Sequence, residues 1–118
     1  MHLTDYLKED DIFTDFRAAD KAAALGNLCR HAAERHGLCY DHILQVVLDR
    51  EELGSTGLGG GVALPHGQTS DVEKPALTLA LAPEGVDFDS LDGPPVRIYV
   101  LILTPLAADG REHLQLLA

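Results

Sequence analysis

Residues 56–67 decide the fold and the chemistry expected of this chain, and they read TGLGGGVALPHG. Glycine adopts backbone angles that other residues avoid, so the glycines before Val62 predict a tight loop of defined shape. Val62–Leu64 predicts a short strand, which ends at Pro65 because proline fixes φ and cannot donate to a sheet ladder. His66 is therefore expected at a strand end. A rigidly held imidazole beside uncrowded backbone suits chemistry on a large anionic group.

The composition describes an acidic chain with enough apolar residues for one packed core. Of its 118 residues 46% are hydrophobic, which fits one domain covering residues 1–118. The formal net charge of −10 repels phosphate backbones, so nucleic acid is not an expected partner. The charge suits basic protein partners, although acidity that only keeps the protein soluble is the simpler interpretation.

Neither a membrane span nor a secretory signal is predicted. No apolar run is long enough to cross a bilayer, and the start MHLTD lacks the basic and apolar regions of a signal peptide. We therefore expect a cytosolic, cytoplasmic protein that is not inserted in a membrane.

Two amphipathic helices are predicted before the glycine-rich loop. The first covers residues 20–36, with Asp20 as its N-cap and Gly37 as its end. The second starts at a capping Asp41 and continues to about Glu52, and the short turn between them predicts that the helices pack as a pair. Apolar residues recur at helical spacing at Ala22, Leu25, Leu28, Cys29, Ala32 and Ala33, and again at Ile43, Leu44, Val47 and Leu48.

The second half of the chain is predicted to be mostly extended. Strands are expected at Leu77–Leu81 and Gly85–Phe88, followed by a turn over residues 89–93. Val96–Leu103 is almost entirely apolar, which is typical of a central strand covered on both faces. A helix is expected from Arg111. Together these elements predict an α/β domain with a mixed central sheet of about five strands and helices on both sides.

Metal binding is one alternative for the histidines. His31, His36, Cys39 and His42 span a helix end, a turn and a helix start, and their types suit zinc. Their spacing matches no zinc signature, so surface histidines are the favoured interpretation and no metal is predicted. Cys29 is expected in the core, without a disulfide to Cys39.

The glycine-rich loop does not fit a nucleotide site. A Walker loop ends in Gly-Lys-Ser/Thr, and no lysine lies between Lys21 and Lys74. The dinucleotide fingerprint also fails, because Val62 stands where its third glycine is required and the loop follows a helix.

His66 as a nucleophile is the remaining chemical hypothesis. A neutral imidazole can attack phosphorus and form a phosphohistidine. Phosphoryl transfer needs positive charge around the transferred group, and Arg50 can supply it because a guanidinium holds phosphate oxygens in a fork. From these residues alone, a structural turn histidine stays open as the alternative.

Residues 49–67, DREELGSTGLGGGVALPHG, resemble a known active-site signature. The pattern is similar to that of type-2 enzyme IIA (EIIA) domains of the bacterial phosphotransferase system (PTS). That class covers the fructose and mannitol IIA domains and the nitrogen-regulatory IIA protein. Residues 3–7, 20–28 and 87–96 also resemble the family, so the similarity extends over most of the chain.

The resemblance implies a phosphocarrier. His66 is then the residue that accepts a phosphoryl group from the histidine phosphocarrier protein, Arg50 is the family's active-site arginine, and His113 is its second active-site histidine. No cofactor is implied. Further support for the phosphoryl group, through a hydroxyl and loop amides, is expected from Thr56, Gly59 and Gly61.

Three functions follow from the resemblance. The nitrogen-regulatory kind is favoured, because no permease or IIB segment is fused to the chain. A sugar-specific IIA that passes phosphate to a IIB domain is the alternative, and an interaction module that senses phosphorylation without onward transfer is the third. The chain departs from the family at Gly60, where asparagine is usual, and we expect it to lack the helical segment that follows His113.

Overall fold

The computed structural model describes residues 5–88 and 95–106. Within this part the chain forms a short 3₁₀ helix, two α-helices and six strands. The predicted turn at 89–93, the predicted helix from Arg111 and the site residue His113 lie outside the described residues. In chain order the elements are the 3₁₀ helix Glu9–Asp11, β1 (Ile12–Phe13), α1 (Lys21–His36), α2 (Tyr40–Glu52), β2 (Gly57–Gly59), β3 (Val62–Ala63), β4 (His66–Gln68), β5 (Ala76–Val86) and β6 (Val96–Thr104).

The described strands form one mixed sheet in the order β1-β5-β6-β3-β2, and β4 also pairs with β6. β5 and β6 run antiparallel, with Ala80 opposite Tyr99. β1 lies parallel to β5, and both β3 and β4 lie parallel to β6. The apolar strand β6 is therefore central, and the predicted mixed α/β architecture is confirmed.

The expected strand end at Pro65 needs a correction. β3 ends at Ala63, but the Ile102 N–H donates to the Pro65 carbonyl at 2.9 Å, and β4 begins at His66. Proline has no N–H to donate, yet its carbonyl still accepts, so the chain passes Pro65 and resumes pairing with β6. His66 is thus the first residue of a strand. The described part of the sheet therefore has six strands, where about five were expected.

β5 is longer than the prediction, because the two expected segments join into one strand. Its pairing with β6 shifts register between Leu81 and Val86. Pro83 and Gly85 lie in this interval, and Gly85 has a φ of 77°. Both residues disturb a regular ladder, which is why the sequence pattern indicated a break where the strand only bulges.

The ends of the predicted helices are nearly correct. The Asp20 carboxylate accepts a hydrogen bond from the Ala23 N–H at 2.9 Å at the start of α1. Gly37, with φ of 68°, ends that helix. α2 begins two residues earlier than predicted, because Cys39 and not Asp41 occupies the N-cap position, and it does so without a side-chain hydrogen bond.

The main core lies between the helix pair and one face of the sheet. The sheet contributes Ala80, Tyr99 and Leu101, and the residues that alternate with them, Leu77 and Ile102, pack with Tyr6 and Leu7 in a second cluster. Ala22 is exposed, and Ala24 takes the buried position expected for it. Cys29 is buried and unpaired, as predicted.

In the described part of the chain, neither α-helix has the length and apolar character needed to cross a bilayer.

Candidate functional site

The two ring nitrogens of His66 have different partners. Nδ1 lies 2.8 Å from the Leu64 carbonyl oxygen, and Nε2 lies 3.1 Å from Nε of Arg50. A carbonyl can only accept and a guanidinium can only donate, so the ring is neutral with its proton on Nδ1. The lone pair of Nε2 is therefore the nucleophilic one, and it points toward a cation.

The surroundings of His66 favour this neutral form. Burial lowers the pKa of His66 below its ordinary value, and the positive charge of Arg50 lowers it further. The hydrogen bond to the Leu64 carbonyl and the carboxylate of Glu51 act in the opposite direction but do not outweigh them. The imidazole consequently stays unprotonated, and so nucleophilic, to a lower pH than a free histidine.

Arg50 reaches His66 from the last turn of α2. Besides the bond to Nε2, its Nη1 donates to the Gly54 carbonyl at 3.0 Å, which fixes the guanidinium against the helix end. Among the described residues these bonds occupy two of its N–H groups. A guanidinium has five, so the fork retains donors for phosphoryl oxygens.

A shallow cavity of about 400 Å³ opens beside the pair. It is flanked by Leu53 and Leu106, whose exposed fractions are 84% and 64%. Exposed apolar side chains beside a charged centre are typical of a surface that meets another protein. The remaining lining residues are Val46, Asp49, Arg50, His66, Gly67 and Gln68.

The glycine-rich segment is a hairpin, β2–β3, and not only a loop as the sequence suggested. Gly59, Gly60 and Gly61 have φ values of 93°, 64° and 83°, which residues with side chains rarely adopt. The Gly61 carbonyl accepts hydrogen bonds from the N–H groups of Arg97 and Ile98. Backbone bonds to β6 therefore hold this turn, independently of the side chain that Gly60 lacks.

Thr56 contacts Glu51 in this structure. Its N–H and its hydroxyl donate to the two oxygens of the Glu51 carboxylate at 2.9 and 2.7 Å, and Thr56 is buried. A hydroxyl has one hydrogen to donate, so the predicted contact of Thr56 with a phosphoryl group requires this bond to break first. In the resting structure Thr56 attaches the hairpin to α2.

Glu51 is the residue that the sequence analysis missed. It is buried although it is charged, because it follows Ile43 and Val47 at intervals of one helical turn, on the face that packs against the core. That spacing was a signal that could have found it.

Of the predicted site residues, the structure brings Arg50 and His66 together, places Gly59 and Gly61 at the hairpin turn, and does not describe His113.

Three further histidines, which were weighed as metal ligands, each contact a different partner. His36 is not the surface residue expected, because its Nε2 lies 3.1 Å from the fully buried Asp11. His31 contacts the Asp10 carbonyl and His42 the Asp71 carboxylate. In the described part of the chain, no group of three His, Cys, Asp or Glu residues could hold a metal ion.

Comparison with known proteins identifies the family. The family described as "Phosphoenolpyruvate-dependent sugar phosphotransferase system, EIIA 2" matches residues 5–118. A nitrogen regulatory protein of Bradyrhizobium diazoefficiens is 38% identical over 118 residues, which cover 100% of this chain and 76% of that protein. A PTS system fructose-specific EIIA component of Haloferax volcanii is 42% identical over 78 residues, covering 66% of this chain and 50% of that protein.

Solved structures have the same fold. Nitrogen regulatory protein IIA-Ntr from Neisseria meningitidis matches with a TM-score of 0.85 at 32% identity, over 94% of this chain and 75% of that one. The complex of enzyme IIAMTL and phosphorylated enzyme IIBMTL from Escherichia coli matches with a TM-score of 0.76 at 27% identity, over 98% of this chain and 76% of that one. The resemblance carried by residues 49–67 is confirmed, and the chain belongs to the EIIA type-2 family of the phosphoenolpyruvate-dependent sugar phosphotransferase system.

Proposed function

We propose that this protein is a phosphohistidine carrier of the nitrogen-regulatory kind, in which Nε2 of His66 accepts a phosphoryl group from the histidine phosphocarrier protein. The observation that carries the proposal is the hydrogen bond from Arg50 to His66, which sets a neutral imidazole lone pair beside a fixed cation. The nitrogen regulatory relatives support the regulatory kind, since two of them align with this chain at 38% identity over its whole length and at 44% over part of it.

The transfer exchanges one P–N bond for another. The Nε2 lone pair of His66 forms a bond to phosphorus, while the P–N bond of the donor breaks and its electron pair returns to the donor imidazole. The proton on Nδ1 of His66 stays on that nitrogen throughout and remains hydrogen-bonded to the Leu64 carbonyl. Nε of Arg50 must leave Nε2 before attack and then donates to the phosphoryl oxygens, where negative charge has arrived. No cofactor takes part in this exchange.

The surface around His66 suits a protein donor. Leu53 and Leu106 offer apolar contact beside the cavity, and the formal net charge of −10 favours encounter with a basic partner. His113 remains our predicted second histidine of the site, and a cytoplasmic location remains our expectation for such a carrier.

A sugar-specific IIA is the second candidate. The fructose-specific relative and the complex of a IIA with a phosphorylated IIB, both similar to this chain, favour onward transfer to a IIB domain. A module that senses phosphorylation without onward transfer is the third candidate.

Incubating the phosphorylated protein with purified IIB domains separates the sugar-specific candidate from the other two. Loss of phosphate to IIB indicates the sugar route, and retention of phosphate indicates a regulatory role.

The proposal is tested by phosphorylation with phosphoenolpyruvate, enzyme I and the histidine phosphocarrier protein. We expect one acid-labile, base-stable phosphate, mapped to His66 by mass spectrometry under alkaline conditions. His66→Ala should abolish labelling. The matched control is His42→Ala, an exposed histidine that contacts Asp71, and it should label like the wild type. Labelling that survives in His66→Ala refutes the site.

A further inference from the structure

Glu51 is the centre of a hydrogen-bond network that joins α1, α2 and the glycine hairpin. Its side chain is 6% exposed, and one carboxylate oxygen lies 2.9 Å from Nζ of Lys21. The same carboxylate accepts the N–H and the hydroxyl of Thr56. A buried carboxylate is costly unless it is paired and hydrogen-bonded, so these contacts hold the three elements in one arrangement.

The cation of this network is itself held in place. The ammonium of Lys21 lies 5.0 Å from the centroid of the Phe88 ring, and Phe88 is fully buried just after the end of β5. A cation is attracted to the face of an aromatic ring, so Lys21 is fixed between the Phe88 ring and the Glu51 carboxylate.

The network continues from Thr56 to the nucleophile. The Thr56 carbonyl accepts the Leu64 N–H at 3.0 Å, and the Leu64 carbonyl accepts the Nδ1 proton of His66 at 2.8 Å. Leu64 is therefore held on its N–H side by Thr56, and it holds His66 on its C=O side. The Leu64 carbonyl and Arg50 together select the tautomer, because the carbonyl oxygen stabilises only the Nδ1–H form and the guanidinium donates to an unprotonated Nε2.

We propose that Glu51 is a positioning residue for phosphoryl transfer: through Thr56 and Leu64 it holds the His66 ring in the tautomer and orientation that present the Nε2 lone pair to the donor. Glu51 touches neither the phosphoryl group nor the donor. The inference rests on the proposed function of His66 and assigns a role to a residue outside the charged pair at the cavity.

Glu51→Gln is the direct test, because glutamine has the same shape but no charge. Its single amide oxygen replaces two carboxylate oxygens that now accept from three donors. We expect the long-range ¹⁵N–¹H NMR spectrum of His66 to change from one Nδ1–H tautomer to a mixture. The rate of phosphoryl transfer from the phosphocarrier should fall roughly ten- to hundredfold. The far-UV circular dichroism spectrum of the variant should still be that of a folded protein.

The matched control is Glu52→Gln, which removes the same charge one residue further on, at an exposed position. It should leave both the tautomer spectrum and the transfer rate at wild-type values.

Thr56→Val removes one hydroxyl while keeping the N–H and the volume. If Glu51→Gln fails to fold, this variant tests whether the network positions His66. Thr56→Ser restores a hydroxyl and should recover most of the rate.

A merely structural role predicts a different result. In that case the folded Glu51→Gln or Thr56→Val variant loses thermal stability but keeps the wild-type tautomer and transfer rate, and this result overturns the proposal. A wild-type protein that takes up no phosphate at His66 refutes the proposed function instead, and the tautomer spectra of the same variants still decide whether Glu51 positions the ring.

Discussion

Nε of Arg50 donates a hydrogen bond to Nε2 of His66 across 3.1 Å, although the two residues are 16 positions apart in the sequence. The bond places the cation on the atom that we propose attacks phosphorus. In the proposed function Arg50 therefore covers the nucleophile in the resting protein and lies within reach of the phosphoryl oxygens once they arrive. Both halves of this relationship can be tested.

Replacing Arg50 by methionine should slow phosphoryl transfer by at least about tenfold, because the charge-assisted bonds to the phosphoryl oxygens are lost. The fold should survive, since Arg50 is only partly buried and its partners are one ring nitrogen and one carbonyl. Transfer is measured by the initial rate of labelling, and stability by urea unfolding. Arg30→Met, an exposed arginine of α1, is the control. An Arg50→Met protein that unfolds shows Arg50 to be structural.

The pH dependence of labelling should follow the ring of His66. Burial lowers the pKa of His66, so the neutral nucleophile persists below about pH 6.5, the value of a free histidine. The rate should therefore decline only below that pH. Arg50 also lowers this pKa, so Arg50→Met should move the titration of the ring, followed by NMR, to higher pH. A wild-type midpoint above 6.5 contradicts this account.

Glu51 should make the protein sensitive to acid. Burial alone raises the pKa of a carboxyl group, but the hydrogen bonds from Lys21 and Thr56 outweigh it and lower the pKa of Glu51. A lowered pKa in the folded state means that the stabilisation is complete above about pH 4.3, the unfolded value, and is lost as pH falls through the folded pKa.

At pH 7 Glu51→Gln should therefore unfold about 2 kcal/mol more easily than the wild type in urea. The difference should shrink as the pH falls below the unfolded value and through the lowered pKa of folded Glu51, where the carboxyl group of the wild type also becomes neutral. Glu52→Gln provides the comparison for an exposed carboxylate. A difference between wild type and Glu51→Gln that is the same at both pH values is incompatible with the network.

Gly67 should not tolerate a side chain. It is buried in β4 next to His66, and a Cβ atom built on it overlaps the Cγ1 atom of Val46 on α2. Gly67→Ala should lower the free energy of unfolding by about 1–3 kcal/mol, since the Val46 side chain, or α2 with it, must shift away from β4. It should also slow transfer, because α2 carries Arg50 and β4 carries His66.

Val46→Ala supplies the matching cavity. In the Gly67→Ala/Val46→Ala double variant, stability and transfer rate should both recover part of the loss, which a double-mutant cycle measures as a coupling energy. If the effects of the two substitutions are additive, the overlap between residue 67 and Val46 is not the cause of the loss.

Local chemistry explains what could be predicted for the elements. Asp20 and Gly37 set the ends of α1 through an N-cap and a left-handed residue, both properties of a few neighbouring positions. The apolar run of β6 indicated a central strand, and in the structure β6 pairs on both edges and is buried on both faces from Leu101 to Leu103. Strand β1 was not predicted, because two residues carry no periodicity and Ile12–Phe13 becomes a strand only by pairing with β5.

For the candidate site, too, local sequence patterns predicted some features and only the tertiary structure revealed the others. His66, Arg50 and the glycines could be proposed as site residues from the sequence, because each residue type has a characteristic chemistry in a recognisable local pattern. Four features could be seen only in the tertiary structure. They are the proton on Nδ1, the cation beside Nε2, the strand pairing that resumes after Pro65, and the link from Lys21 through Glu51 to Thr56. Each of these depends on which distant groups meet across helices and strands, and a hydrogen bond forms only where folding has brought donor and acceptor within reach.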